Sequence, residues 1–474
     1  MTPTPTTPSP SQRPLLWLVA LGVFMQMLDS TIVNTALPAM ANGLGESPLR
    51  MQSVVIAYAL TMAMLIPASG WLADRFGTRR VFLAAIVLFT LGSLLCARSV
   101  TLAQLAGSRV VQGVGGAMLL PVGRLAVLRS IPRAEFLRAM SFVTVPGLIG
   151  PLIGPTLGGW LVQAASWHWI FLINLPVGVV AAVATARWMP DARSPVVRFD
   201  LAGYLMLSFS MVALSLALDG LSELGLRQAT VLMLLIFGMA SFVGYWLHAS
   251  RAPRPLFPLA LFGIHSFRVG VLGNLFSRIG SGSMPFLIPL LLQVSLGYTP
   301  MEAGLTMVPV ALAGMLAKRY VVPLVRELGY RRVLVGNTLL VGLAMASFAL
   351  IGPGQPLWLR VVQLSAFGLV NSLQFTAMNT ITLRDLEGDL ASSGNGLLSM
   401  VMMLSMSLGV AAASGLLAAF TGVFGSEHGV AALPAFRATF ACVGLVTATS
   451  AWMFWQLEAE RRAPLAPAAP ENAQ

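Results

Sequence analysis

Polar material is what this chain has least of. Charged residues make up 10% of its 474 positions and hydrophobic ones 57%, with a mean hydropathy of +0.81. A water-soluble domain needs far more polar surface to cover itself, so that class is excluded. Cysteine is nearly missing. Cys96 and Cys442 both sit in apolar context, which leaves no disulfide framework or metal spacing and reads as packing. The four histidines, His168, His248, His265 and His428, stand at or near helix ends and never cluster. No metal, catalytic or cofactor constellation is therefore expected, and an enzyme is a poor reading. The one lysine, Lys318, lies outside any G-x-x-x-x-G-K-[ST] pattern, which argues against an ATP-driven pump.

What is there is one apolar run after another. A bilayer core about 30 Å thick needs about 20 such residues per helix. Runs of that kind fall near 15–37, 53–73, 81–97, 103–128, 139–163, 168–187, 201–219, 229–248, 268–295, 301–318, 333–351, 358–382, 393–420 and 436–456. We therefore expect an all-α membrane protein with 14 transmembrane helices. Ala39-Met40-Ala41 mimics a signal-peptidase site, but the preceding run is too long and carries Asp29, so the first helix is read as retained. The Thr/Pro-rich stretch 1–14 and the Ala/Pro-rich stretch 458–474 read as disordered tails. The net charge of +12 marks loops facing one compartment rather than a nucleic-acid surface. With the N-terminus inside, most of the arginines lie in cytoplasmic segments, while external loops hold only Arg50, Arg98 and Arg227. That asymmetry puts both termini in the cytoplasm.

The chain also repeats itself. A shift of 252 positions lays Gly45-Glu46-Ser47-Pro48 on Gly297-Tyr298-Thr299-Pro300, and Leu72, Gly77, Arg79, Arg80 and Val81 on Leu324, Gly329, Arg331, Arg332 and Val333. Two parallel halves of six helices, 15–190 and 266–457, follow, with an inserted pair at 200–249. Thr299-Pro300-Met301-Glu302 additionally reads as a capping box with proline in the first turn.

Four groups of residues carry chemistry. Gly70-Trp71-Leu72-Ala73-Asp74-Arg75-Phe76-Gly77-Thr78-Arg79-Arg80 is a short basic turn between the second and third spans. Asp29 lies inside the first span and Arg109 inside the fourth. At 1.5 Å per residue Asp29 is roughly 21 Å above the cytoplasmic end and Arg109 roughly 9 Å below the outer end, so the two share a depth and can pair. A carboxylate inside a membrane is functional by default, although a fixed structural ion pair is the competing role. The fifth span places Gly150, Gly154 and Gly158 on one face, with Pro155 in register, which permits close helix approach. Arg278, ~15 Å into the ninth span, stands near the midplane, either packing helices or contacting a ligand.

The G-x-L-A-D-R-x-G-x-R-R turn resembles the signature loop of the major facilitator superfamily, and G-x-x-x-G-P-x-x-G-G in the fifth span resembles its antiporter motif. Together with the inserted pair and Trp167-His168-Trp169-Ile170-Phe171-Leu172-Ile173-Asn174-Leu175-Pro176, they make the whole chain resemble the fourteen-helix drug:proton antiporters of the EmrB/QacA type. The resemblance implies a major facilitator fold and proton-driven efflux across the bacterial inner membrane. It names no substrate, and we expect a monomer.

On this reading Asp29 and Arg109 couple protons. Asp74, Arg75, Arg79 and Arg80 form a conformational gate with Gly150, Gly154, Pro155 and Gly158. This gate is expected to lock the two halves when the site faces outward, with Asp74 at the start of the thirteenth span, near Ser392 and Ser393, beside Asp385, Glu387 and Asp389. Arg278, Gln26, Asn34 and Asn371 are the expected substrate contacts. The deep charges are one acid, Asp29, against Arg109 and Arg278. Two cargoes therefore stay open: drugs or other small amphipathic compounds, or a small organic anion (a carboxylate or its metal chelate) held by Arg278.

Overall fold

The structure is a computed structural model that describes residues 13–131, 133–193, 198–220, 228–425 and 429–457. The expected tails lie outside them, apart from positions 13 and 14. Every regular element among the described residues is helical.

The first half opens with α1 (Arg13–Leu44), which reverses through Gly45 (φ 66°) into a 3₁₀ turn at Pro48–Met51. There the Ser47 hydroxyl accepts the Leu49 amide at 3.4 Å, an N-cap that meets one of the unpaired donors of a helix start. α2 (Gln52–Phe76) and α3 (Thr78–Ala97) are separated by a single residue, Gly77, at φ 94° and ψ 146°. Only glycine adopts that conformation freely, and a Cβ there would run into the Asp191 carboxylate. α4 (Leu102–Ser130) is capped by Thr101, whose hydroxyl accepts the Gln104 amide at 3.2 Å. α5 (Arg133–Ala164), α6 (Trp169–Leu172) and α7 (Asn174–Trp188) complete the half.

α8 (Leu201–Gly220) and α9 (Gln228–Arg251) are the inserted pair. They are followed by α10 (Ala260–Gly263), α11 (His265–Ser281), α12 (Met284–Leu290) and a π turn at Leu291–Ser295. α13 (Pro300–Thr306) starts with the expected capping box: Thr299 Oγ1 accepts the Glu302 amide at 3.2 Å while Glu302 Oε2 accepts the Thr299 amide at 2.8 Å. α14 (Val308–Ser347), α15 (Leu357–Arg384), α16 (Gly388–Phe424), α17 (Leu433–Thr449) and α18 (Ala451–Trp455) close the chain.

Among the described residues, 12 segments are long and apolar enough to cross a membrane. One of them, Pro300–Leu350, has 51 residues, more than twice the length a bilayer core requires. Its backbone leaves the helical region at Gly329 (φ 79°, ψ 157°), so it is two helices. α5, with 32 residues, is long enough as well. The helices therefore accommodate fourteen spans.

The 252-residue shift reappears in the backbone. Gly45 and Gly297 (φ 71°) share a left-handed turn, and Gly77 and Gly329 share the conformation that reverses one span into the next. The copies also differ. α1 runs unbroken, whereas its counterpart, expected as one span over 268–295, divides at Gly282 and Ser283 and ends in the π turn. Ser281-Gly282-Ser283 has weak helix propensity, and Pro285 suits the first turn of a new helix.

Lipid is as apolar as a side chain, so close backbone approach does what hydrophobic burial does in water. Gly150, Gly154 and Gly158 of α5 lie on Leu28, Thr31 and Ile32 of α1, and Gly92 of α3 lies on the backbone of Gln112 in α4. One apolar cluster crosses between halves, joining Ile32, Ile170 and Phe171 to Phe286, Leu290 and Phe436. It sits at the end opposite the arginine-rich loops. The inserted pair lies beside the α2/α16 seam: Leu207, Met211 and Tyr245 pack with Leu60, Leu397 and Met400. There Ser215 and Ser407 share a hydrogen bond of 3.1 Å.

Candidate functional site

Asp29 is completely buried, on the face of α1 turned toward α4 and α7. Arg109, 1% exposed, reaches it from α4, with Nη1 at 2.6 Å from Asp29 Oδ2. The structure thus brings together the two charges that depth alone matched. The carboxylate has further partners: Gln112 Nε2 donates to Oδ1 at 2.7 Å and Asn174 Nδ2 at 3.1 Å. Both amides also donate to Ser93 Oγ, at 2.8 and 3.3 Å. Arg109 gives Nη1 to Gln112 Oε1 (2.6 Å) and Nε to the Val54 carbonyl (3.3 Å), and its guanidinium lies 4.1 Å from the Tyr58 ring centroid. The carboxylate thus meets three donors, and the guanidinium three acceptor atoms and an aromatic face, so each buried charge is paired and hydrogen-bonded.

Sequence reasoning did not assign Gln112, Asn174, Ser93 or Tyr58 to this site. Gln112 carried a usable signal, because it lies three residues after Arg109 and so on the same helix face. Asn174, Ser93 and Tyr58 arrive from three other helices, and no spacing in the chain announces that meeting.

With the halves joined at the opposite end, the basic turn is tied within its own half. Asp74 pairs with Arg129 at the end of α4, whose Nη1 also donates to the Ala192 carbonyl at 3.4 Å. Arg79 donates to the Ala186 carbonyl at the end of α7, and Thr78 Oγ1 to that of Pro190 at 3.2 Å. Arg75 lies 5.3 Å from the Trp71 ring, and Arg80 is exposed. These partners belong to the same half as the turn, because Gly77 folds it back under α4 and α7, within reach of local acceptors. Glu387 is exposed, and the side chain of Asp389 lies outside the described residues.

Of the expected substrate contacts, Asn34 lines the cavity between the halves, and Arg278, Gln26 and Asn371 do not. Arg278 donates Nε to Asn274 Oδ1 at 3.0 Å and stands 4.3 Å from the Phe375 ring, with Nη2 buried and no partner among the described residues. Gln26 is buried with its Oε1 likewise unpartnered, and the 252 shift places it at the position of Arg278 in the other half. Asn34 lines a separate cavity between the halves, where its Nδ2 donates to the Ser30 carbonyl at 3.3 Å. Asn371 is half-buried on α15, four residues before Phe375.

The sequence matches the Major Facilitator Superfamily over residues 19–410, and again over 271–473. The chain belongs to that superfamily. It is a multi-pass membrane transporter. Its repeat, its glycine-mediated α1/α5 contact and its between-half cluster are how this major facilitator chain builds the fold. A relative from Serratia proteamaculans (strain 568), named "Putative multidrug resistance protein MdtD", is 53% identical over 445 residues, covering 94% of this chain and 93% of its own. One of the same name from Pectobacterium carotovorum subsp. carotovorum (strain PC1) is 54% identical over 420 residues, covering 89% of each. Solved structures share the fold at low identity. An auto inhibited POT family peptide transporter superimposes with a TM-score of 0.70 at 15% identity, covering 95% of this chain and 99% of its own. The human organic anion transporter MFSD10 gives 0.60 at 14%, covering 95% and 100%.

Proposed function

We propose that this transporter is a proton-coupled antiporter that exports drugs or other small amphipathic compounds across the bacterial inner membrane, with both termini in the cytoplasm. The observation that carries the reading is Asp29, a fully buried carboxylate paired at 2.6 Å with an equally buried arginine. Protonation removes one charge of that pair and leaves Arg109 to find new partners, a change large enough to shift a balance between two arrangements. α1 delivers the change. It carries Asp29 on one face and, on another, the backbone against which Gly150, Gly154 and Gly158 pack. Its next turns, from Thr31 to Thr35, line the cavity between the halves. The names of the relatives support a multidrug cargo.

The signature turn serves this cycle as a latch. Asp74–Arg129 ties α2 to α4 and Arg79–Ala186 ties α3 to α7, so the turn between α2 and α3 is held to its own half. The decisive test is Asp29→Asn in proteoliposomes under an imposed pH gradient. Coupled efflux should stop while the protein stays folded, and normal proton-driven transport by that variant overturns the assignment. The unpartnered Nη2 of Arg278 favours a second cargo, a small organic anion, since a guanidinium presents a fork that suits a carboxylate. If Arg278→Ala exports every cargo at the wild-type rate, the anion reading is removed.

A further inference from the structure

A few residues beyond Asp29 on α1, the two halves line a partly open cavity of about 160 Å³ between α1, α5, α12 and α14. Its size decides what it can hold. An apolar cavity of about 150 Å³ accommodates one benzene ring, whereas pockets that bury a whole drug measure about 300–1,000 Å³. The space therefore fits one ring of a larger molecule, or one small monocyclic compound.

Its wall decides the chemistry. No charged side chain lines it. Its hydroxyls are turned back on their own helix: Thr31 Oγ1 donates to the Met27 and Leu28 carbonyls, both at 3.0 Å, and Thr35 Oγ1 to the Ile32 carbonyl at 3.1 Å. Two proline pairs, Pro151/Pro155 on α5 and Pro285/Pro289 on α12, form much of the remainder, one pair from each half. Within each pair the second proline has no N–H, so it withholds the hydrogen bond that the carbonyl of the first would accept in a regular helix. The wall is thus an apolar box in which both hydroxyls and the one amide side chain, Asn34, already donate to carbonyls of α1, leaving the hydroxyl oxygens as acceptors. An anion brings only acceptors and would be desolvated there without compensation.

We propose that this cavity is a subsite for a neutral, single-ring group that carries a hydrogen-bond donor, such as a phenol, and that it rejects the corresponding anion. The proposal rests on the export reading for its role in transport, but binding itself needs neither protons nor turnover. The site is distinct from Arg278, which does not line it.

Fluorine NMR on the full-length protein in detergent tests this with three probes: 4-fluorophenol, 4-fluoroanisole and 4-fluorobenzoate. Binding is read as the difference between wild type and Ala311→Phe, which fills the cavity and cancels partition into the micelle. We expect wild type to bind the phenol at least tenfold more tightly than Ala311→Phe does, the anisole to lose several-fold for want of a donor, and the benzoate to show no difference. A second variant, Met307→Ala, enlarges the space and should admit 6-fluoro-2-naphthol at least tenfold more tightly than wild type. Equal phenol binding by wild type and Ala311→Phe overturns the proposal, as does benzoate binding that Ala311→Phe abolishes. If Ala311→Phe does not fold, unchanged naphthol binding by Met307→Ala overturns it. Loss of proton-driven export with these binding differences intact would sink the export reading alone.

Discussion

Two aspartates show how surroundings set the behaviour of one side chain. Asp29 meets arginine and amide donors in a place water does not reach, and removing either ionic partner would strand the other, a change that typically costs about 3–5 kcal/mol. Asp200 stands just before α8 at the arginine-rich end. It accepts the Gly203 amide at 2.9 Å, the Leu256 amide at 3.0 Å and His248 Nε2 at 2.7 Å. Burial pushes its carboxyl up, but these donors together outweigh burial and hold it below its ordinary value. A lowered folded value means stabilisation that is fully present above about pH 4 and lost as pH falls through the folded value. Asp200→Ala should therefore unfold more easily at pH 7, by about 1–2 kcal/mol as for other N-caps, with the gap narrowing in acid. Thermal melts in one detergent across pH measure this, and a gap that widens toward low pH contradicts it.

Among the elements, glycines decide where helices end and where they touch. Gly329 holds a backbone conformation that other residues adopt at a cost of about 1–3 kcal/mol, and it turns what would be one overlong helix into two spans. Gly336, seven residues later, has helical neighbours and open space around its missing Cβ. The same substitution should act in opposite directions. Gly329→Ala should destabilise the protein by about 1–3 kcal/mol, whereas Gly336→Ala should be neutral or stabilising by up to about 1 kcal/mol. Matched melting curves compare them; equal effects would mean that the reversal at Gly329 carries no strain for alanine.

For the whole molecule, one set of contacts between halves, additional to the α2/α16 seam, sits at the end away from the arginine-rich loops. Gln293 Nε2 donates to the Thr35 carbonyl at 3.0 Å, Thr156 Oγ1 to the Gly304 carbonyl at 3.4 Å, and Gly159 lies against the backbone of Pro300. The chain at the arginine-rich end instead ties its signature turn within its own half. An alternating cycle must open the first set and bring the second end together. With Cys96 and Cys442 replaced, cysteines at 35 and 293 should crosslink less when substrate or a pH gradient drives the cycle. Cysteines at 79 and 387 should crosslink more under the same conditions. Yields that do not respond, or that respond in the same direction, argue against alternation between these two ends.

Much of this was legible in the chain. Apolar runs of bilayer length, the arginine bias, the 252-residue repeat and the capping box at Thr299 are written locally, because each depends on one segment and the solvent around it. The pairing of Asp29 with Arg109 was within reach for a related reason: helix rise and bilayer thickness together fix depth. Tertiary structure alone decided the rest. Which way a span faces depends on its neighbours, so Asn174, Ser93 and Tyr58 joined the Asp29–Arg109 pair without notice, and Arg278 does not line the cavity that Asn34 lines. The Asp74–Arg129 pair was not announced by the chain for the same reason. Rise along a helix is a property of the backbone, whereas azimuth is settled only when helices pack.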